Sequence, residues 1–187
     1  MKEELLKSFE IVRKGGVILY PTDTVWGLGC DATLSKSIER IAQIKKRPGN
    51  KAMIILLDLQ EKLYQYVEDI PEIAFDFMKN IATPLTIIYP RAKNLPKNLI
   101  AEDGSIAIRI THDEFCNKLI NMMNAPLVST SANLSGEPTP LIYSRINPVI
   151  IDQVDYVVDL NKTRIKEVKS STVIKFTDDG DYKILRS

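Results

Sequence analysis

The chain has 187 residues, 25 Lys and Arg against 24 Asp and Glu, a formal net charge of +1, and 44% hydrophobic and 26% charged residues. These values suit one folded domain with a sizeable core and exclude a disordered chain. They also exclude a globally basic nucleic-acid binder, so any attraction for phosphate must come from a local patch.

The predicted elements follow in chain order. Leu5, Leu6, Phe9 and Val12 share one helical face, and Gly15-Gly16 ends that helix. Residues 17–20 read as a short buried strand. A helix is expected from about Ser35, with Leu34, Ile38, Ile41 and Ala42 on one face and Pro48-Gly49 as its stop. Residues 52–57 form the longest apolar run and a second buried strand, far short of the ~20 residues that cross a bilayer. Amphipathic helices are expected over 71–82 and 113–123, the second capped by Asp113 with Cys116, Leu119, Ile120 and Met123 on one face. Further strands are expected at 85–89, 105–110, 126–130, 154–159, 171–176 and 182–186. Strands outnumber helices, and several follow one another with no helix between. That pattern predicts an α/β domain over 1–187, built on a mixed, twisted sheet with helices packed on it.

The charges are uneven. Lys45, Lys46, Arg47 and Lys51 cluster at the end of the second helix, and no acid lies between Glu39 and Asp58. Lys45 continues the apolar series 34, 38, 41, 42, so it points towards the packed face. Complementing a helix dipole accounts for such a cluster; so does a polyphosphate clamp, with Lys as point charge and Arg as bidentate fork. Arg109 alternates with Ile106, Ile108 and Ile110 and faces the other side of its strand with Ala107. In a covered sheet it needs an anion, either a structural carboxylate or a substrate carboxylate. His112, beside Asp113, fits a surface or capping residue.

Two polar loops follow buried strands, PTDTVWGLG at 21–29 and STSANLSGEPTP at 129–140. Turn formation explains either composition. Placed at strand ends, both also offer hydroxyls and amides to phosphate or ribose oxygens. The absences narrow the chemistry. There is no G-x-x-x-x-G-K-[ST] and no G-x-S-x-G. Two distant cysteines, Cys30 and Cys116, and one histidine do not make a typical zinc site. The N-terminal MKEELLKSFE lacks a signal-peptide core, so the expected compartment is the reducing cytoplasm, with no membrane partner.

These residues match a known pattern. PTDTVWGLG (with Trp26 where a Tyr is usual), Lys45-Lys46-Arg47 as K-x-R, Ser131-Ala132-Asn133 as S-x-N, Arg109 in IAIRI, Ser171-Thr172 and the terminal ILR occur in order along the chain. The chain resembles the YrdC/TsaC family of L-threonylcarbamoyladenylate synthases over nearly its whole length. The resemblance implies a twisted open sheet around a large concave basic cavity, of the single-domain type. It implies nucleotidyl transfer: L-threonine, bicarbonate or CO2, and ATP give threonylcarbamoyl-AMP and pyrophosphate for modification of tRNA, with Mg2+ arriving on ATP and no protein-held metal. Its implied partners are the tRNA threonylcarbamoyl-transfer proteins, with weak tRNA binding. Thr22, Trp26, Arg109, Ser129 and Ser171 map to the L-threonine side. Lys45, Arg47, Lys51, Ser105, Ser131, Asn133, Thr139 and Arg186 map to the ATP side, with Lys45, Arg47, Ser131 and Asn133 carrying catalysis. The competing readings are a YciO-like paralogue and an RNA-binding module using the same basic cavity.

Overall fold

The computed structural model describes residues 1–46, 53–160, 162 and 171–186. The expected end of the second helix, Pro48-Gly49, and the expected start of the second strand, Ala52, lie outside the described residues.

The helices are α1 (Lys2–Arg13), α2 (Ser35–Ile44), α3 (Glu72–Asn80), α4 (Glu114–Met123) and α5 (Pro148–Gln153). The strands are β1 (Ile18–Pro21), β2 (Trp26–Gly29), β3 (Ile54–Leu57), β4 (Leu85–Tyr89), β5 (Ile106–Ile110), β6 (Leu127–Ser131), β7 (Tyr156–Val157), β8 (Thr172–Phe176) and β9 (Tyr182–Arg186). They form one sheet in the order β7-β1-β2-β6-β3-β5-β4-β8-β9. Parallel pairs (β1/β7, β3/β5, β4/β8) mix with antiparallel ones, as the scarcity of crossover helices predicted.

The sheet is covered on both faces, and strand alternation decides which residue goes where. On one face, here called the front, α1 and α4 pack over Ile18, Tyr20, Leu56 and Leu127. On the back, α2, α3 and α5 pack through Ile38, Ile41, Ala74 and Ile150 on Leu19, Leu28, Ile55, Ile87 and Ile108. Asp113 caps α4 as expected, its carboxylate accepting from the Cys116 N–H at 3.0 Å.

Three details depart from the sequence reading. The inward line of α1 is Leu5, Ser8 and Val12, while Leu6 is exposed. The α5 helix and a 3-10 turn at Gln60–Gln65 were not anticipated. The segment expected as a loop over 21–29 contains β2, which pairs with β1 and β6. Its two glycines hide the strand signal, but they serve close approach. A Cβ on Gly29 would lie 2.6 Å from Tyr20 Cε1 and 2.9 Å from the Val128 carbonyl.

Candidate functional site

On the front face, beside α1 and α4, the sheet floors a cavity of about 610 Å3 that no helix of the described residues covers. Gly27, Ser129, Ile54, Ala107, Thr86 and Val173 come from six neighbouring strands and all point into it. Arg109 joins them, opposite Ile108 and Ile110, as its alternation predicted.

Arg109 is only 7% exposed. Its Nε donates to Thr86 Oγ1 at 3.1 Å. Its Nη1 reaches Asp23 Oδ1 and Thr24 Oγ1, both at 3.3 Å. Both readings of Arg109 therefore meet in one residue: it has a protein carboxylate, and it also lines the cavity. Its Nη2 makes no hydrogen bond with the described residues. Burial draws the guanidinium pKa down, and the Asp23 charge opposes that shift.

A hydrogen-bond chain continues from there. Thr86 Oγ1 donates to Ser171 Oγ at 3.1 Å. Arg186 Nη2 donates to the same Ser171 oxygen at 3.0 Å, and Arg186 Nε to the Ser171 carbonyl at 2.9 Å. Two hydroxyls thus separate two guanidinium groups along the cavity floor. Ser171 Oγ accepts twice, which leaves its own proton to donate.

The strand-end loops form the opposite wall. Thr22 Oγ1 donates to the Val25 carbonyl at 2.7 Å and accepts from the Thr24 N–H at 3.0 Å. Lys45 leaves α2 buried, as its place in the apolar series predicted, and is 4% exposed. Its ammonium donates to the Ser131 carbonyl, and to that of Asn133 at 2.7 Å. Ser135 N–H returns to the Lys45 carbonyl at 2.8 Å. Asn133 accepts from Ser131 Oγ and donates to the Glu137 carbonyl at 2.7 Å. The S-x-N loop is therefore closed on itself and clamped to the end of α2.

The structure brings Thr22, Arg109, Ser129, Ser131, Thr139, Ser171 and Arg186 to one cavity. Lys45 and Asn133 stand behind it, holding the loop that carries Ser131. Two placements need correction. Trp26 does not enter the cavity: β2 alternation turns its ring to the back core, 5.1 Å from Tyr143, and puts Gly27 in front. Ser105 is off the cavity as well, its hydroxyl donating to Asp103 Oδ1 at 2.6 Å. Arg47 and Lys51 lie outside the described residues.

Thr86, Thr24 and Asp23 were not singled out from sequence. Thr86 had a signal, being the one aliphatic hydroxyl in the apolar run LTIIY. Asp23 and Thr24 sat within a loop whose every polar residue also suited a turn.

Chemically, the described lining combines two arginines and several hydroxyls with no carboxylate. Such a site suits a small anion with further hydrogen-bonding groups. Among the described residues no group of three or more His, Cys, Asp or Glu is placed to hold a metal ion. No helix among them is long and apolar enough to cross a membrane.

An open mixed sheet with an arginine- and hydroxyl-lined cavity defines an α/β ligand-binding domain. The Sua5/YciO/YrdC family model, described as telomere recombination, matches residues 10–187, and the chain belongs to that family. It is 40% identical over 149 residues to a threonylcarbamoyl-AMP synthase of Pseudoalteromonas translucida, covering 78% of this chain and 80% of the relative. The fold is similar to that of P. abyssi Sua5 complexed with L-threonine, at a TM-score of 0.84 and 30% identity, covering 93% of this chain. The chain spans only 51% of that Sua5 chain. It also resembles E. coli YciO, at a TM-score of 0.85 and 29% identity, covering all of this chain and 90% of YciO.

Proposed function

We propose that this chain is a threonylcarbamoyl-AMP synthase acting as a single domain over 1–187. The observation that carries the reading is Arg109, which lines the cavity and is held at Nε and Nη1 by the protein, while its Nη2 makes no hydrogen bond with the described residues. A planar guanidinium so placed fits the carboxylate of L-threonine. The threonine complex of the P. abyssi relative and the name of the P. translucida relative support the same ligand and product.

In the proposed reaction the threonine amine takes up CO2, or bicarbonate with loss of water, as a carbamate. A carbamate oxygen then bonds to the α-phosphorus of ATP, and the bond to pyrophosphate breaks. Such a step needs alignment and charge stabilisation more than a strong base. Thr22, Ser129 and Ser171 would orient threonine beside Arg109. Ser131, Thr139 and Arg186 would meet ATP, with Lys45 and Asn133 setting the loop and Arg47 and Lys51 adding charge. The described lining, rich in hydroxyls, supplies no carboxylate for a divalent ion, so magnesium would enter as MgATP. Transfer of the threonylcarbamoyl group to tRNA by partner proteins in the cytoplasm completes the proposal.

The near-complete coverage of YciO favours a second reading, a YciO-like protein with the same cavity. Mass spectrometry of chain, MgATP, L-threonine and bicarbonate separates the two. Threonylcarbamoyl-AMP is expected. Nucleotide binding without that adenylate would overturn the synthase reading.

A further inference from the structure

A second cavity, of about 440 Å3, lies on the opposite side of the same sheet. Strand alternation sets it apart. Leu85, Ile87, Ile108 and Ile110 point into it, whereas Thr86, Ile88, Ala107 and Arg109 point into the front cavity. The α3 end and the 3-10 turn roof it through Met78 and Leu63. Its floor and roof are therefore aliphatic, and its volume is in the range that holds small molecules.

Its mouth is charged in both signs. Lys79 and His112 line it and are exposed. Asp23, in the loop between β1 and β2, lines it too. Asp23 uses Oδ1 for Arg109, at 3.3 Å, and its Oδ2 makes no hydrogen bond with the described residues. A purely apolar guest would leave that carboxylate oxygen unused beside an apolar floor. A simple amine would meet Lys79, and a simple carboxylate would meet Asp23. A guest carrying both charges next to an apolar body offers a partner to both Asp23 and Lys79.

We propose that the back cavity is a second ligand site, for a zwitterion with an apolar body: the chemistry of an apolar α-amino acid. Its ammonium group sits on Asp23, its carboxylate faces Lys79, and its side chain lies on Ile87 and Ile108. The site is separate from the cavity assigned to the reaction, although Asp23 bonds to Arg109, which lines that cavity.

Calorimetric titration of the full chain with L-phenylalanine tests this without turnover, so the result stands apart from the reaction proposed above. Saturable binding is expected. Phenethylamine and 3-phenylpropanoate, each lacking one charge, should bind at least ~10-fold more weakly, the loss of one charged contact. Lys79→Glu should weaken L-phenylalanine by a similar factor, and Ala82→Trp, at the exposed rim, should abolish binding by filling the mouth. Circular dichroism melting checks that both variants fold; Thr83→Trp, also exposed, replaces Ala82→Trp should that variant not fold. No binding of L-phenylalanine overturns the proposal. So does equal binding by the plugged variant, or binding lost only in Arg109→Lys, which would put the amino acid in the front cavity.

Discussion

Thr86 Oγ1 lies 3.1 Å from Arg109 Nε and 3.1 Å from Ser171 Oγ, accepting from the first and donating to the second. The register makes this contact inevitable. Ile87 pairs with Ile108 across β4 and β5, which sets Thr86 opposite Arg109, and Thr86 itself pairs with Val173 across β4 and β8. One hydroxyl thereby fixes the rotamers of an arginine and a serine that belong to distant parts of the chain.

Thr86→Val keeps the shape and removes that hydroxyl. Arg109 Nε is then a buried donor without its partner, at a cost of about 1–3 kcal/mol. Apparent L-threonine affinity is expected to fall about 10-fold, with a lower melting temperature. Thr86→Ser should recover most of both. Threonine titration and thermal melting on the three proteins check it; an unaltered threonine affinity in the valine variant would show that Thr86 does not position Arg109.

Arg109→Lys retains a cation for Asp23 but cannot also supply the donor to Thr86 and a further one for a ligand. L-threonine affinity is expected to drop by about 10-fold or more. ATP binding measured without threonine should change little. The melting temperature should fall by a few degrees, because the residue is buried within a network. A loss of melting temperature with an unchanged ratio of the two affinities would make Arg109 purely structural.

Lys45→Met removes an ammonium that bonds two loop carbonyls while keeping most of the apolar stem. Charged hydrogen bonds of this kind contribute about 1.5–3 kcal/mol each. The 131–137 loop should loosen, with faster amide exchange at Asn133 and Ser135 and a larger loss of ATP affinity than of threonine affinity. Hydrogen exchange read by NMR is the check, and unchanged protection across the loop would contradict the clamp.

The Lys175 ammonium, at 2.6 Å, and the Ser105 hydroxyl hold the Asp103 pKa down to about 2, from an ordinary 3.8. A carboxylate with a depressed folded-state pKa stabilises above its unfolded value and loses that contribution as pH falls through the folded value. Asp103 is half exposed, so the contribution is small, under about 1 kcal/mol. Asp103→Asn should therefore melt slightly below the parent at pH 6, with the gap closing between about pH 4 and pH 2. A gap that stays constant over that range would rule out the ion pair as its source.

Local pattern was enough to place most of the elements and the facing of Arg109. Period-two alternation in IAIRI and the capping of α4 by Asp113 are properties of neighbouring residues, so the chain carries them without reference to the fold. The same holds for Lys45, whose burial follows from helical spacing. Pairing was not legible. That Trp26 faces the back core and Gly27 the cavity depends on β2 lying between β1 and β6, and two glycines erased the alternation that would have announced it. The sequence reading put Ser105 and Arg109 in one strand, whereas Ser105 stands just before β5 and bonds Asp103 two residues back, and Arg109 lies within β5 and lines the cavity. Thr86 and Ser171 are 85 positions apart, and Asp23 and Arg109 are 86 apart. Contacts at that range arise from strand order and register, which side-chain periodicity does not encode.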